Sequence, residues 1–238
     1  MNTSPTYLRK RALALGLEGV GAVLTAASNH PLVVERQGPH GVERGFRLKL
    51  HDKQPDAPLS PFFLNLRTPD NPKPGPLKGN IIILAAACMH QALLEKKVEY
   101  DAVAGVPNAG DPFAEALAKL SGKPLIHMEK GEVDGKRFIA GIKGYVPMEI
   151  GNVLLVDDLV TKADSKIEAI EVLREAGMEV SDVVVLVDRE QGGAKELDEW
   201  RCTLHAVFAI TELLDFYVAC GKMSEKLHAD IVSYLVAA

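Results

Sequence analysis

From residue 77 onward, short apolar runs alternate with longer stretches in which apolar residues return every three or four positions. The first pattern suits a strand buried on both faces, the second a helix with one apolar stripe. Read this way, residues 77–97 form a helix, 100–106 a strand, 111–122 a helix closed by Gly122, and 123–128 a strand. A polar, Gly-rich stretch covers 129–151. Then come a strand at 152–157, a helix at 162–177 closed by Gly177, a strand at 182–188, a strand at 205–210, and helices to the last residue. Apolar strands separated by helices predict an α/β fold whose parallel sheet is covered on both faces. The first seventy-odd residues are less regular. A helix is expected at 6–25, and VVERQ and GFRLKL, alternating around GPHG, predict a hairpin over 33–50. TPDNPKPGP (68–76) holds four prolines and can be neither helix nor central strand. It divides the chain into an N-terminal helix and small subdomain (1–76) and a core with C-terminal helices (77–238).

Composition narrows the chemistry. The chain has 238 residues and a formal net charge of −5, with no basic run, so nucleic acid is not an expected partner. Three scattered cysteines (Cys88, Cys202, Cys220) build no disulfide framework, and without a C-x-x-C pair or an H-E-x-x-H cluster zinc is not expected. The N-terminal segment reads as an amphipathic helix rather than a signal peptide, and the longest apolar run, 81–89, is too short to span a bilayer. A cytoplasmic protein that binds no membrane is the expectation.

In an open α/β sheet the ligand sits beyond the carboxyl ends of the strands. Three of those ends are polar or Gly-rich here: 107–110, Asp157-Asp158 with the loop after it, and 188–193. The stretch VLLVDDLVTKADS (153–165) is the most informative. Its acidic pair suits an N-cap, a Walker B carboxylate or a sugar site. No G-x-x-x-x-G-K-[ST] exists in the chain, which argues against a P-loop enzyme. Two adjacent carboxylates can accept hydrogen bonds from a vicinal diol, and can stand near a hydrated Mg²⁺ without caging it. Thr161, Lys162, Ala163, Asp164 and Ser165 then offer N–H groups and hydroxyls at a helix start, as a monophosphate cradle does. A diol site followed at once by a phosphate site describes a ribose 5-phosphate.

That stretch resembles the phosphoribosyl diphosphate (PRPP) motif of type I phosphoribosyltransferases, an apolar strand, two acidic residues and T-x-G-x-[ST]. The flanks narrow the resemblance to orotate phosphoribosyltransferases, including the corresponding domain of UMP synthases. SPFFLNLR (60–67) with GFRLKL before it looks like the orotate-binding hood, AGVPNAGDPFA (104–114) like the diphosphate loop, and VVVLVDREQGG (183–193) and LHAVFAITELLDFYVACGKMS (204–224) like the last strands and helix. The resemblance implies a type I phosphoribosyltransferase sheet flanked by helices, with an N-terminal hood, and a homodimer. It also implies a reaction: orotate and PRPP give orotidine 5′-monophosphate and diphosphate with Mg²⁺, in the biosynthesis of UMP, with a decarboxylase as a possible partner. Carried over residue by residue, Asp157 and Asp158 would contact the ribose hydroxyls and Thr161 to Ser165 the 5-phosphate. Asn108, Ala109 and Gly110 would face the diphosphate. Lys49, Phe62, Phe63 and Arg189 would line the orotate site.

The chain departs from the family pattern in places. The family's basic loop, R-K-E-x-K-x-[YH]-G, is replaced by HMEKGEVDGKRFIAG (127–141), so the catalytic cation falls to Lys130, Lys136 or Arg137, residues that a solvated charged loop would also carry. Ala163 stands where the phosphate loop usually has glycine, and HDKQPDAPL (51–59) enlarges the hood. These departures keep two alternatives open: a phosphoribosyltransferase for another base, and a PRPP- or nucleotide-binding protein without turnover.

Overall fold

The computed structural model describes residues 4–38, 41–52, 54–133, 136–144 and 150–237. Helix α1 (Pro5–Gly19) starts at Ser4, whose hydroxyl accepts the Tyr7 N–H, with Pro5 in the first turn where no N–H is needed. Strand β1 (Val23–Thr25), the hairpin β2 (Val33–Gly38) and β3 (Gly41–Phe46), a 3-10 turn (Lys49–Asp52) and strand β4 (Phe62–Leu64) follow. The core runs α2 (Gly79–Glu95), β5 (Ala102–Gly105), α3 (Asp111–Ser121), β6 (Leu125–Val133), β7 (Lys136–Lys143), β8 (Asn152–Val160), α4 (Asp164–Glu175), β9 (Glu179–Asp188), α5 (Gly193–Glu199), β10 (Thr203–Ala209), α6 (Ile210–Ala219) and α7 (Glu225–Ala237).

Six strands make one sheet in the order β10-β9-β8-β5-β6-β7, parallel except for the antiparallel pair β6–β7. The side-chain period of two sorts the central strands onto two faces. Val103, Leu154, Val156, Val184 and Leu186 pack with α1, α2, α3 and α6, while Ala102, Ala104, Val153, Leu155, Val183 and Val185 pack with α4 and Leu197 of α5. Burial on both faces is the physical reason that these strands read as continuous apolar runs. Among the described residues no helix is long and apolar enough to cross a membrane.

The expected hairpin is present, closed by the cross-strand pair Arg36–Glu43 at 2.9 Å. Arg36 also reaches the carbonyls of Pro55 and Asp56, so the enlarged loop 51–59 is fastened to the hairpin by its backbone. The helix expected at 6–25 ends at Gly19, because Val23–Thr25 leaves to pair with β4. Residues 129–151, read as a polar stretch, contain instead most of a β-ribbon: β6 continues to Val133 and turns back as β7. Its backbone ladder is independent of side-chain polarity, and Ile126, Met128 and Ile139 mark its buried side. The short helix α5 was not foreseen. Seven residues give too little periodicity to register.

The N-terminal helix belongs to the main core. Leu13, Ala14 and Leu17 are fully buried there, and the buried Tyr217 hydroxyl of α6 donates to the Ala14 carbonyl at 2.8 Å. Tyr217→Phe removes this tie without opening a cavity. It should lower unfolding stability by about 1 kcal/mol, read as an earlier urea midpoint with an unchanged denaturant slope.

Candidate functional site

Three loops meet at the carboxyl ends of β5, β8 and β9. The loop after β5 begins with the Val106 N–H bonded to the Val156 carbonyl of β8 at 2.8 Å, and closes with the Gly110 N–H on the Val106 carbonyl at 2.8 Å. Its Pro107–Asn108 peptide is cis. Asn108 is exposed, Ala109 half-buried and Gly110 buried against β8.

The acidic pair lies within β8, which runs on to Val160, rather than after its end. Asp157 and Asp158 are both buried, at 3% and 7% exposure, yet differ in surroundings. Asp157 accepts the Asp158 N–H through Oδ1 at 2.9 Å, and its Oδ2 lies 2.5 Å from Nζ of Lys166, itself buried. Lys166 also donates to the Leu159 carbonyl at 2.6 Å. Asp158 accepts the Leu159 N–H at 2.7 Å but has no ion pair of this kind among the described residues. Burial, and then the neighbouring charge of Asp157, raise the Asp158 pKa well above the usual carboxylate range; Lys166 and Arg67 pull against that rise.

The loop 161–165 leads directly into α4. Ala163 is its N-cap at φ −89° and ψ 3°, an ordinary conformation for alanine, so loss of the motif's glycine imposes no backbone strain. The Ala163 methyl is fully buried in the core beneath α4 instead of filling the loop. Thr161 is half-buried, while Lys162, Asp164 and Ser165 are exposed. The Ala163 N–H donates to Oε2 of Glu196 at 2.7 Å, and the Lys162 ammonium lies 3.6 Å from the other oxygen of the same carboxylate.

The loop after β9 carries Arg189. Its N–H is held by the Val160 carbonyl at 2.9 Å, and the Gly193 N–H by the Thr161 carbonyl at 3.1 Å. Gly193 has to be glycine for this approach, since a Cβ there would meet Val160 Cγ2 at 2.3 Å. The Arg189 guanidinium lies over the Phe62 ring, 4.8 Å from its centroid, a cation–π arrangement. Arg189 is 8% exposed, and its buried Nε and Nη2 have no hydrogen-bond partner among the described residues. Burial lowers its pKa from the ordinary arginine value. Phe62 is itself buried, and Phe63 stacks on Phe46 with ring centroids 5.7 Å apart. Lys49 belongs to the 3-10 turn before β4, and its side chain lies outside the described ones.

The expected loop cations sit on the ribbon: Lys130 pairs with Ile139 across β6 and β7, Arg137 with Glu132, and Lys136 with Val133. The side chains of Lys136 and Arg137 lie outside the described ones. Lys130 is exposed, and its charge acts on Asp111, the first residue of α3. Burial pushes the Asp111 carboxyl up to about 6, with Lys130 and His127 drawing it down and Glu115 and Asp157 adding to the rise. The structure therefore gathers residues 107–110, 157–165 and Arg189 with Phe62 at one edge of the sheet, and ties Lys130 to it electrostatically. Lys166, Glu196, Asp111 and Arg67 were missed. Lys166 alone carried a legible signal, being a lysine in the first turn of a helix that follows an acidic strand.

Comparison with known proteins follows the same line. No protein-family model matches the chain. Over 182 residues the chain is 31% identical to the orotate phosphoribosyltransferase of Sulfurisphaera tokodaii, covering 75% of this chain and 86% of the other. The UMP synthase structure from Leishmania donovani superposes with a TM-score of 0.68 at 26% identity, over 96% of this chain and 42% of that longer one. The orotate phosphoribosyltransferase of Aeropyrum pernix superposes with a TM-score of 0.58 at 25% identity, over 85% of this chain and 97% of that one.

Two outcomes follow from the charge arrangement. Asp157→Asn strands the buried Lys166 ammonium and should destabilise the fold by about 3 kcal/mol or more, whereas Asp157→Asn combined with Lys166→Met should recover most of that loss. Chemical denaturation of the single and double variants checks it. For Asp111 the folded-state pKa of about 6 exceeds the ordinary carboxylate value of 3.8, so the folded protein holds this proton more tightly. Its contribution is neutral below pH 4 and becomes a loss of stability as pH rises through 6. Asp111→Asn should therefore stabilise the protein at pH 8 by roughly 1–2 kcal/mol, after solvent screening of a partly exposed group. The gain should vanish near pH 4, as thermal melts across that range would show.

Proposed function

The chain belongs to the orotate phosphoribosyltransferase family, and we propose that it joins orotate to the ribose 5-phosphate of PRPP, releasing diphosphate. The observation that carries this reading is Arg189. A buried guanidinium with two nitrogens unpartnered among the described residues, lying over Phe62 beside the phosphate loop, suits a flat ring bearing a carboxylate. A base without a carboxylate would leave those nitrogens unpaired in a buried site, which costs free energy. Orotate therefore fits better than a neutral base.

In this reading the bond from an orotate ring nitrogen to the anomeric carbon forms as the carbon–oxygen bond to diphosphate breaks, and diphosphate leaves with the electron pair. No protein nucleophile is needed. The loops at β5, β8 and β9 hold the two substrates in line. Asp158 accepts from the ribose hydroxyls, and Asp157, held by Lys166, fixes its neighbour's backbone. The N–H groups of 161–165 take the 5-phosphate, and those of 108–110 face the diphosphate. Lys130 brings positive charge to the diphosphate side, where negative charge grows. Mg²⁺ keeps several waters and uses one or two carboxylates with substrate phosphates. Asp158 and the partly buried Asp111 are oxygen donors that fit this use, and the bound ion would neutralise charge on the leaving diphosphate. We read the part of residues 1–76 that follows the N-terminal helix as the hood over the base, and the protein as a cytoplasmic homodimer. Orotidine 5′-monophosphate and UMP differ by one carbon dioxide, so a decarboxylase is the expected consumer of the product. A second reading, PRPP binding without turnover, draws on the ribbon. β7 is tied to α4 through the Ile139 N–H on Glu168 at 2.6 Å, which restrains the ribbon that carries the expected loop cations.

Orotate consumption, followed spectrophotometrically with PRPP and Mg²⁺ against a control without PRPP, decides between these readings. We expect turnover in the complete mixture alone. Arg189→Ala should raise the KM for orotate much more than that for PRPP, and Lys130→Ala should lower kcat by about 100-fold. PRPP binding by calorimetry with no turnover would favour the second reading, and equal effects of Arg189→Ala on both substrates would make Arg189 structural.

A further inference from the structure

We propose that Glu196 is an internal anion that competes with the incoming phosphate for the cradle and must be displaced by it. The inference rests on the reading of residues 161–165 as that cradle and assigns it a residue which the family motif does not contain. One carboxylate engages both kinds of group expected to bind phosphate. Its Oε2 accepts the Ala163 N–H at 2.7 Å, at the very start of α4, and its Oε1 faces the Lys162 ammonium at 3.6 Å. The helix start and the lysine are the local sources of positive potential, and a carboxylate is the side chain closest in charge and geometry to a phosphate edge. Glu196 is half-buried and Lys162 exposed, so the carboxylate covers the cradle from the outer side, where it can swing away.

Glu196 also connects two binding loops. It lies in the first turn of α5, which begins at Gly193, and Gly193 is bonded to Thr161 at the other end of the cradle. Arg189 is four residues before that helix. Phosphate entering the cradle would release α5 from Ala163 and Lys162, so the loop that carries Arg189 senses whether the sugar site is filled. A ligand with no phosphate lacks the charge to displace the carboxylate. Glu196 thereby selects phosphorylated sugars over the free sugar and holds the affinity for inorganic phosphate down.

The test is calorimetric titration of inorganic phosphate, and separately of ribose 5-phosphate, into the wild type, Glu196→Ala and Glu196→Gln. Thermal melts confirm that each variant is folded. Removing a competing charge-assisted hydrogen bond should tighten both ligands by about tenfold in Glu196→Ala. Glu196→Gln keeps an acceptor for the Ala163 N–H but loses the charge on Lys162, and should show a smaller gain. Unchanged or weaker binding in both folded variants, with the wild type binding phosphate, overturns the proposal and leaves the cradle reading standing. If neither the wild type nor the variants bind either anion, the cradle reading falls with it. Orotate turnover is a separate readout and does not enter this comparison.

Discussion

The backbone of β8 is the constraint on which the site depends. It is hydrogen-bonded on both sides to parallel neighbours, and its last carbonyls go on to accept from the two flanking loops: Val156 takes the Val106 N–H and Val160 the Arg189 N–H. Thr161, the next residue but for one peptide, takes the Gly193 N–H. Parallel strands bring their carboxyl ends to one edge of a sheet, and ligand crevices open there. Here one strand also anchors the starting points of the loops beside it. The loop proposed as a phosphate cradle, the acidic pair and Arg189 are therefore referred to a single rigid element buried on both faces.

On that frame the site is assembled with an excess of carboxylates. Asp157, Asp158, Asp111 and Glu196 all lie in or beside the segments at the carboxyl ends of β5, β8 and β9, where the proposed ligand is a polyanion. Such a site can exist only if the charges are balanced or their protonation shifts. Asp157 is balanced by Lys166, and Glu196 by Lys162 with the Ala163 N–H. Asp158 and Asp111 respond to burial with raised pKa values. Lys162 and Lys166 are thus each paired with a carboxylate, so the proposed ligand would meet these cations by exchange of partners.

The base side follows a different rule. Phe62 and Arg189 come from segments far apart in the chain, one in β4 and one after β9, and meet in a cation–π contact. Phe63, adjacent to Phe62, points elsewhere and stacks on Phe46, because successive residues of a strand face opposite sides. The two aromatic residues that looked equivalent along the chain therefore divide into one beneath the Arg189 guanidinium and one packed on Phe46.

Much of this was legible in the chain itself. The alternation of apolar strands and helices, the helix ends at Gly122 and Gly177, and the acidic pair followed by a hydroxyl-bearing loop are local patterns. They follow from side-chain period, glycine at positive φ, and the chemistry of residues close in sequence. The resemblance of residues 153–165 and 183–193 to known motifs added the reaction class, since a motif keeps local spacing. What lay out of reach came from long-range pairing. The β6–β7 ribbon is a backbone ladder between polar segments, and the salt bridge of Asp157 with Lys166 spans the turn between strand and helix. The contact of Glu196 with Ala163 joins residues 33 positions apart. Backbone hydrogen bonds leave little trace in side-chain composition, and a glutamate on a short surface helix looks like any solvated charge until the fold sets it against a helix start.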